Sequence, residues 1–245
     1  MIALLSDIHA NLEALNACLA HARAQGATRY VFLGDFIGYG ADPQGVVDLI
    51  ADHVARGAVA VQGNHDAALE NRAGRMNDAA QQAIDWTRGV LSEGGRSFLR
   101  SLPLCVHEDQ MCFVHASAIR PERWVYVDDK TAAYESIHAG GAIYTFSGHV
   151  HDQMLYSLSA VGKMTSFRPL SGNVVPAGSH RQWLAIVGAV GQQRDNNPAA
   201  GYTLFDPVRK DIVFFRVPYD TEAAARKIRA AGLPESLALQ IEQGG

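Results

Sequence analysis

Seven side chains with metal-binding chemistry follow apolar runs in this chain: Asp7, His9, Asp35, Asn64, His115, His149 and His151. The first run ends in Asp7-Ile8-His9, the second in Asp35, and the third in Asn64-His65-Asp66. A fourth ends in His115 and a fifth in His149-Val150-His151. Singly, each has an ordinary explanation, because Asp and Asn favour turns and helix caps. That ordinary reading is kept for His21, His53, His107, His138 and His180. Jointly, five runs delivering ligand-type residues at one relative position are more than independent turns would produce. Residues two apart in an extended segment point to one side, so Asp7 with His9, and His149 with His151, are expected to act as pairs.

The donor types narrow the chemistry. No thiolate is in the set, which excludes a cysteine-type structural zinc site. A mixture of imidazole, carboxylate and amide suits Mn²⁺, Fe, Zn²⁺ or Ni²⁺ better than an all-oxygen calcium site. Seven ligands are too many for one catalytic ion with an open position, and suit two ions sharing a carboxylate. Two divalent ions bring four positive charges, of which Asp7 and Asp35 offset two. The remainder can hold a bridging hydroxide and an anionic phosphate, the charge pattern of two-metal phosphoester hydrolysis.

The elements that must position these residues alternate at first. Residues 1–6 (MIALLS), 29–34 (RYVFLG) and 58–63 (AVAVQG) have strand character. Between them, residues 11–26 carry helical spacing at Leu12, Leu15 and Leu19 and stop at Gly26. Residues 42–57 predict a second helix, with Asp42 as N-cap and Pro43 at the first position. This start implies a parallel sheet. Residues 71–101 are polar and predict helix. Residues 110–115 and 142–149 predict strands flanking a helix over 129–140. After His151 come β-rich stretches at 154–161, 163–169, 183–190, 202–207 and 212–219, expected to pair antiparallel. A helical tail follows from Thr221, broken at Gly232-Leu233-Pro234. The expected class is α/β with α+β character: a mixed two-sheet β-sandwich flanked by helices. It forms one domain over 1–245, with a metal-site half (1–151), a β-rich half (152–220) and a helical tail (221–245). Functional residues belong at the carboxyl ends of the strands.

Taken in order, the blocks SDIHAN, GDFIGYG, GNHDA, VHAS and SGHVH make the sequence resemble the calcineurin-like metallophosphoesterases. DIHANLEAL, GYGADP and VGAVGQQRDNNPAAGYTLFD extend the likeness to about Asp206, toward the bacterial and archaeal predicted phosphodiesterases of that superfamily. In that group the late block usually reads Asn-Pro-Gly-Ser before VGQPRD, where this chain has IVGAVGQQRD. The resemblance implies a two-sheet sandwich and two divalent transition metal ions. One would be bound by Asp7, His9, Asp35 and His151, the other by Asp35, Asn64, His115 and His149, with Asp35 bridging. It implies that His65 is a non-ligand catalytic histidine that contacts the phosphate and protonates the leaving oxygen. Asp66 would orient His65, with a helix cap as its alternative role.

Three further residues are candidates for substrate binding. Asn11 is near enough in sequence to reach a phosphate, or it caps the first helix. Arg194 either clamps a phosphate oxygen or sits in a solvated loop. Tyr39, between Gly38 and Gly40, lines the pocket or belongs to a glycine-shaped turn.

Composition sets outer limits. The chain has 245 residues, 48% hydrophobic and 19% charged, with a net charge of −4. Such a balance gives no global case for nucleic-acid binding. Cys18, Cys105 and Cys112 form no CxxC pair and read as reduced residues, which with the lack of a signal peptide implies a cytoplasmic protein. No apolar run is long enough to span a membrane. The expected function is dinuclear metal-dependent hydrolysis of a phosphoester, foremost a diester of a small molecule or nucleotide. Alternatives are a phosphomonoesterase, a nuclease with a local basic groove, or a non-catalytic scaffold that kept the fold.

Overall fold

The computed structural model of the protein describes residues 1–70 and 76–245. Two six-stranded mixed sheets lie against each other. The first contains β1 (Ile2–Leu5), β2 (Arg29–Phe32), β3 (Val59–Ala60), β9 (Val174–Pro176), β11 (Ala200–Asp206) and β12 (Asp211–Val217). Their spatial order is β3-β2-β1-β11-β12-β9. The second contains β4 (Cys105–Glu108), β5 (Met111–Val114), β6 (Tyr144–Ser147), β7 (Met154–Ser159), β8 (Met164–Phe167) and β10 (Arg181–Ile186). Their order is β4-β5-β6-β10-β7-β8. The helices are α1 (Leu12–Ala24), α2 (Pro43–Ala55), α3 (Asn64–Ala68), α4 (Asp78–Val90), α5 (Glu93–Ser101), α6 (Lys130–Gly140), α7 (Thr221–Ala230) and α8 (Glu235–Gln243). The expected two-sheet architecture is the one observed.

β1 explains why its sequence is continuously apolar. Ile2 and Leu4 face the second sheet and share a core with its Phe113 and Phe146 and with Phe205 and Phe214 of their own sheet. Ala3 and Leu5 face the helices and pack with Leu15, Cys18 and Val46. A strand buried on both faces cannot alternate apolar with polar. β1, β2 and β3 run parallel, as do β5, β6 and β10, so each triplet delivers its carboxyl-end loops to one end.

The structure departs from the sequence expectations in four places. The stretches after His151 are not one antiparallel unit. β10 runs parallel to β6, while β11 and β12 join β1 in the first sheet, so the sheets do not follow a division at His151. β4 and β9 carried no strand signal. β4 reads Cys-Val-His-Glu, with no apolar alternation, and β9 is a three-residue edge strand. Asp42 takes the N-cap position of α2 but caps nothing with its side chain, because its carboxylate pairs with Lys227 at 2.7 Å. The expected helix over 71–101 is two helices, α4 and α5, preceded by residues 71–75, which lie outside the described residues.

The tail breaks between α7 and α8 where Gly232-Leu233-Pro234 predicts. Ala225, Ile228, Leu237 and Ile241 pack it against Tyr39 and α4. Among the described residues no helix is long and apolar enough to cross a membrane.

Candidate metal centre

All seven candidate ligands sit at the shared end of the two strand triplets, and six are buried; Asn64 is half-buried. The loops that carry them are bent, not extended. Asp7, His9, Asp35, Tyr39, His149 and His151 all have φ between 50° and 73°, in the left-handed region. Non-glycine residues rarely occupy that region, and clusters of them mark sites held by their surroundings. This curl removes the shared side that an extended segment would give His149 and His151, the two histidines that the resemblance assigns to separate ions. Their backbone turns between them, so the two rings part. His151 joins Asp7 and His9, whereas His149 joins Asp35 and His115; within each trio one ligand atom per residue lies within 4.8 Å of the others.

Backbone carbonyls fix the imidazoles. Nδ1 of His9 donates to the Ile37 carbonyl at 3.1 Å, Nδ1 of His151 to Gln192, and Nδ1 of His115 to Leu33 at 2.6 Å. A carbonyl only accepts, so Nδ1 carries the hydrogen and Nε2 is the inward-facing atom. Burial holds His9 and His151 well below the usual histidine range, hence neutral. Their Nε2 lone pairs face each other at 3.3 Å, and His151 Nε2 lies 3.3 Å from Asp7 Oδ1. Three electron-rich atoms converge there with no hydrogen between them.

In the second trio a proton on His115 stands among the acceptors. His115 Nε2 lies 3.3 Å from Asp35 Oδ2 and 3.2 Å from Asn64 Oδ1. Burial pulls the His115 pKa down, but the Asp35 carboxylate outweighs it and pushes it up to about 9. Burial raises Asp35 in turn, yet His115, His65 and His9 together hold its carboxyl well below the usual range. Asp35 Oδ2 is 3.3 Å from His115 Nε2 and 3.7 Å from His9 Nε2, so one oxygen faces both trios. His149 Nε2 and Asp7 Oδ1 are buried with no hydrogen-bond partner. Cations between these donors would satisfy the orphaned atoms and the facing lone pairs alike, so the donor set fits two divalent ions.

Glycines admit the loops to this end. A Cβ on Gly148 would strike the Ser6 side chain and the Asp7 carboxylate, and one on Gly191 would strike the Ile8 carbonyl. The loop after β10 is tied to the loop after β1 by Val190 N–H to Ser6 O and Gly191 N–H to Asp7 O, both 2.9 Å. Gln193, in the VGQQRD block, steadies that loop by donating to the Ala189 and Val190 carbonyls.

The remaining sequence candidates separate. His65 lies beside the centre, with Nε2 3.9 Å from Asp35 Oδ2 and its ring 4.7 Å from that of His9. Burial holds its pKa down to about 4, and its Nδ1 has no partner. Asp66 does not orient it. The Asp66 carboxylate instead accepts three backbone N–H groups at 2.9 Å, from Gly63, Asp35 and Phe36. It acts as a cap for α3 and as a knot between the loops after β2 and β3. Asn11 is likewise committed to structure: Oδ1 caps α1 through Ala14 N–H, and Nδ2 donates to the Gly191 carbonyl and the Tyr219 hydroxyl. No side-chain polar atom of Asn11 is left for a phosphate.

Tyr39 and Arg194 do share a cavity, of about 240 Å³, with Asn77, Tyr126, Gln192 and Gln240 among its lining. The Tyr39 ring packs 4.6 Å from His65 and 4.7 Å from His9, which puts this cavity against the centre. Sequence reasoning missed Tyr126, whose ring stacks on His149 at 4.0 Å. It also missed the contribution of α8, where Gln240 accepts from Gln192 at 3.2 Å. Neither had a signal, because a lone Tyr in a loop and a polar helical tail are ordinary features. A larger cavity, about 490 Å³, opens at the amino ends of β2 and β3 and is lined by none of the candidate ligands.

Known proteins with similar sequences or folds place the chain in a family. The family model for calcineurin-like phosphoesterases matches residues 1–200. An uncharacterised protein of Methanocaldococcus jannaschii is 35% identical, covering all of this chain and 98% of the relative. A crystal structure of a metallophosphoesterase from Sphaerobacter thermophilus superposes with a TM-score of 0.87 at 32% identity, covering 100% of this chain and 98% of that one. A hypothetical protein from Pyrococcus horikoshii shares the fold, with a TM-score of 0.78 at 19% identity over 100% of this chain and 99% of that one. On these grounds the chain belongs to the calcineurin-like phosphoesterase family.

Proposed function

We propose that this metal-dependent phosphoesterase is a phosphodiesterase acting on a small molecule or nucleotide, with a dinuclear centre of Mn²⁺, Fe, Zn²⁺ or Ni²⁺. The observation that carries the reading is the convergence of the His9, His151 and His115 Nε2 atoms on the Asp7 and Asp35 carboxylates, with Asp35 Oδ2 facing both trios. Asp7, His9, Asp35 and His151 would hold one ion; Asp35, Asn64, His115 and His149 would hold the other. Bound there, two divalent ions supply a water of lowered pKa and stabilise the oxygens of an in-line displacement.

The chain's own groups supply the rest. Arg194 lines the adjoining cavity and offers one guanidinium, a match for the single negative charge of a diester. Tyr39 and Tyr126 offer aromatic faces for a base or an apolar leaving group. His65 is neutral at pH 7 in the free protein; the negative charge of a phosphate beside it raises its pKa, and it then gives its proton to the leaving oxygen. A cavity of about 240 Å³ walled by α8 suits a small ester better than a duplex, as does the net charge of −4.

A panel of phosphodiesters, monoesters and nucleotides, assayed with Mn²⁺, Ni²⁺, Zn²⁺ and Mg²⁺ in turn, tests this. Diesters should be turned over with the highest kcat/KM, and chelated protein should be inactive. Preferred monoester turnover would overturn the diester assignment, and full activity in metal-free protein would overturn the mechanism.

A further inference from the structure

Outside the Asp/His centre, Cys105, His107 and Cys112 form a second cluster of ligand-type atoms, mutually within 4.8 Å. Its geometry comes from the sheet. Cys105 and His107 are two apart on β4 and so share a face, and His107 lies directly opposite Cys112 on β5. Cys105 Sγ is 3.6 Å from Cys112 Sγ and 3.8 Å from His107 Nδ1. A tetrahedral zinc ion, with bonds of ~2.3 Å to sulfur and ~2.05 Å to nitrogen, sets S···S at ~3.8 Å and S···N at ~3.6 Å. The two separations from Cys105 Sγ are therefore already near those that one ion requires, and the third pair lies within 4.8 Å.

The imidazole is also in the correct tautomer. His107 Nε2 donates to the Gly140 carbonyl at 2.9 Å, at the end of α6, which leaves the Nδ1 lone pair aimed at the sulfurs. Cys112 is buried, Cys105 half-buried and His107 exposed, so a fourth position opens to water. The hydrogen bond from Cys112 pulls the Cys105 thiol down to about 7, against burial, while the same contact and burial push the Cys112 thiol well up, so the second proton leaves only as an ion binds.

We propose that Cys105, His107 and Cys112 form a separate site for a thiophilic divalent ion, with Zn²⁺ as the best match. Binding is an exchange without electron transfer: the ion takes two thiolates and one imidazole, and the two thiol protons pass to solvent. The ion pins the edge strand β4 to β5, three residues upstream of His115 in the Asp/His centre. A disulfide between the two cysteines would leave the placement and tautomer of His107 without a role.

Cobalt substitution tests the proposal, because the Asp/His centre has only nitrogen and oxygen donors. Reduced, metal-free, full-length protein is titrated with Co²⁺. The expected result is an intense near-ultraviolet thiolate-to-cobalt charge-transfer absorption that saturates at one ion per chain. It should be lost in Cys105→Ser and weakened at least tenfold in apparent affinity in His107→Ala. The weaker visible bands of cobalt in the Asp/His centre should persist in both variants, which verifies that they fold. Absence of the charge-transfer band in reduced wild type, or its persistence in Cys105→Ser, would overturn the site. So would a protein that loses two thiols to a Cys105–Cys112 disulfide in air and binds no cobalt when reduced.

Discussion

At the scale of the residue, Asp35 carries the heaviest duty in the centre. Its Oδ2 faces imidazoles of both trios, and its Oδ1 accepts the His65 N–H at 2.7 Å. Asp35→Ala should release both ions and lower kcat/KM by ~10³-fold or more, the scale on which a single electrostatic stabiliser acts. Metal content by elemental analysis, read beside turnover, checks this; two retained ions would refute the bridging placement. His65 should behave differently. His65→Ala is expected to keep the metal and lose ~10²–10⁴-fold on an alkyl ester, with a smaller loss on a nitrophenyl ester, whose leaving group departs without a proton. Equal losses on both esters would remove the general-acid role. His115 gives the pH dependence. With its pKa pushed up to about 9 beside Asp35, it is protonated at pH 7 in metal-free protein. An ion must displace that proton, so apparent metal affinity should rise about tenfold per pH unit up to about 9 and then level. The metal-free fold has the opposite sign: a raised histidine pKa stabilises fully below the unfolded value near 6.5, and that contribution fades as pH rises through 9. Calorimetric metal titrations in buffers of different ionisation enthalpy would detect the released proton.

Elements enter through their ends. The candidate ligands stand on loops after β1, β2, β3, β5 and β6, and several hold left-handed conformations that cost on the order of 1–3 kcal/mol each. Something must hold those loops, and the Asp66 carboxylate is one such tie. Asp66→Ala would leave three buried or part-buried N–H groups without their acceptor. The expected destabilisation is about 3 kcal/mol by urea unfolding, from ~1–3 kcal/mol per unsatisfied group with partial rescue by water. Because Asp66 does not touch the His65 ring, the variant should preserve the ratio of activities on alkyl and nitrophenyl esters. A changed ratio would restore the orienting role that the sequence implied.

For the whole molecule, metal and fold are linked. Each ion bound to the native chain at ~100 times its Kd adds about 2.7 kcal/mol. In a chain of this size each kcal/mol moves Tm by roughly 2–4 °C. Chelation should therefore lower Tm by about 5–10 °C for each ion removed, measured by scanning calorimetry before and after dialysis against EDTA. An unchanged Tm would mean that the orphaned atoms of Asp7 and His149 are satisfied without cations. The tail belongs to this scale as well, since α7 and α8 reach back across the chain to pack on Tyr39 and to close one wall of the cavity.

The sequence by itself determined the two-sheet class, the parallel start and the seven ligand types, because these rest on local patterns: apolar runs, helical spacing and the residue that follows each strand. Carboxyl-end placement then follows from parallel strands alone. Tertiary structure decided what depends on contacts distant in the chain. It bent the backbone between His149 and His151 so that they do not share a side, and turned Asn11 and Asp66 into ties between loops. It split the β-rich stretches between two sheets, because a strand of ordinary alternation can pair with either neighbour. It also brought His107 opposite Cys112 across a hairpin whose first strand, Cys-Val-His-Glu, has no apolar signal. Spacing along the chain shows no metal motif there, since the cluster exists only once the register of β4 and β5 is set.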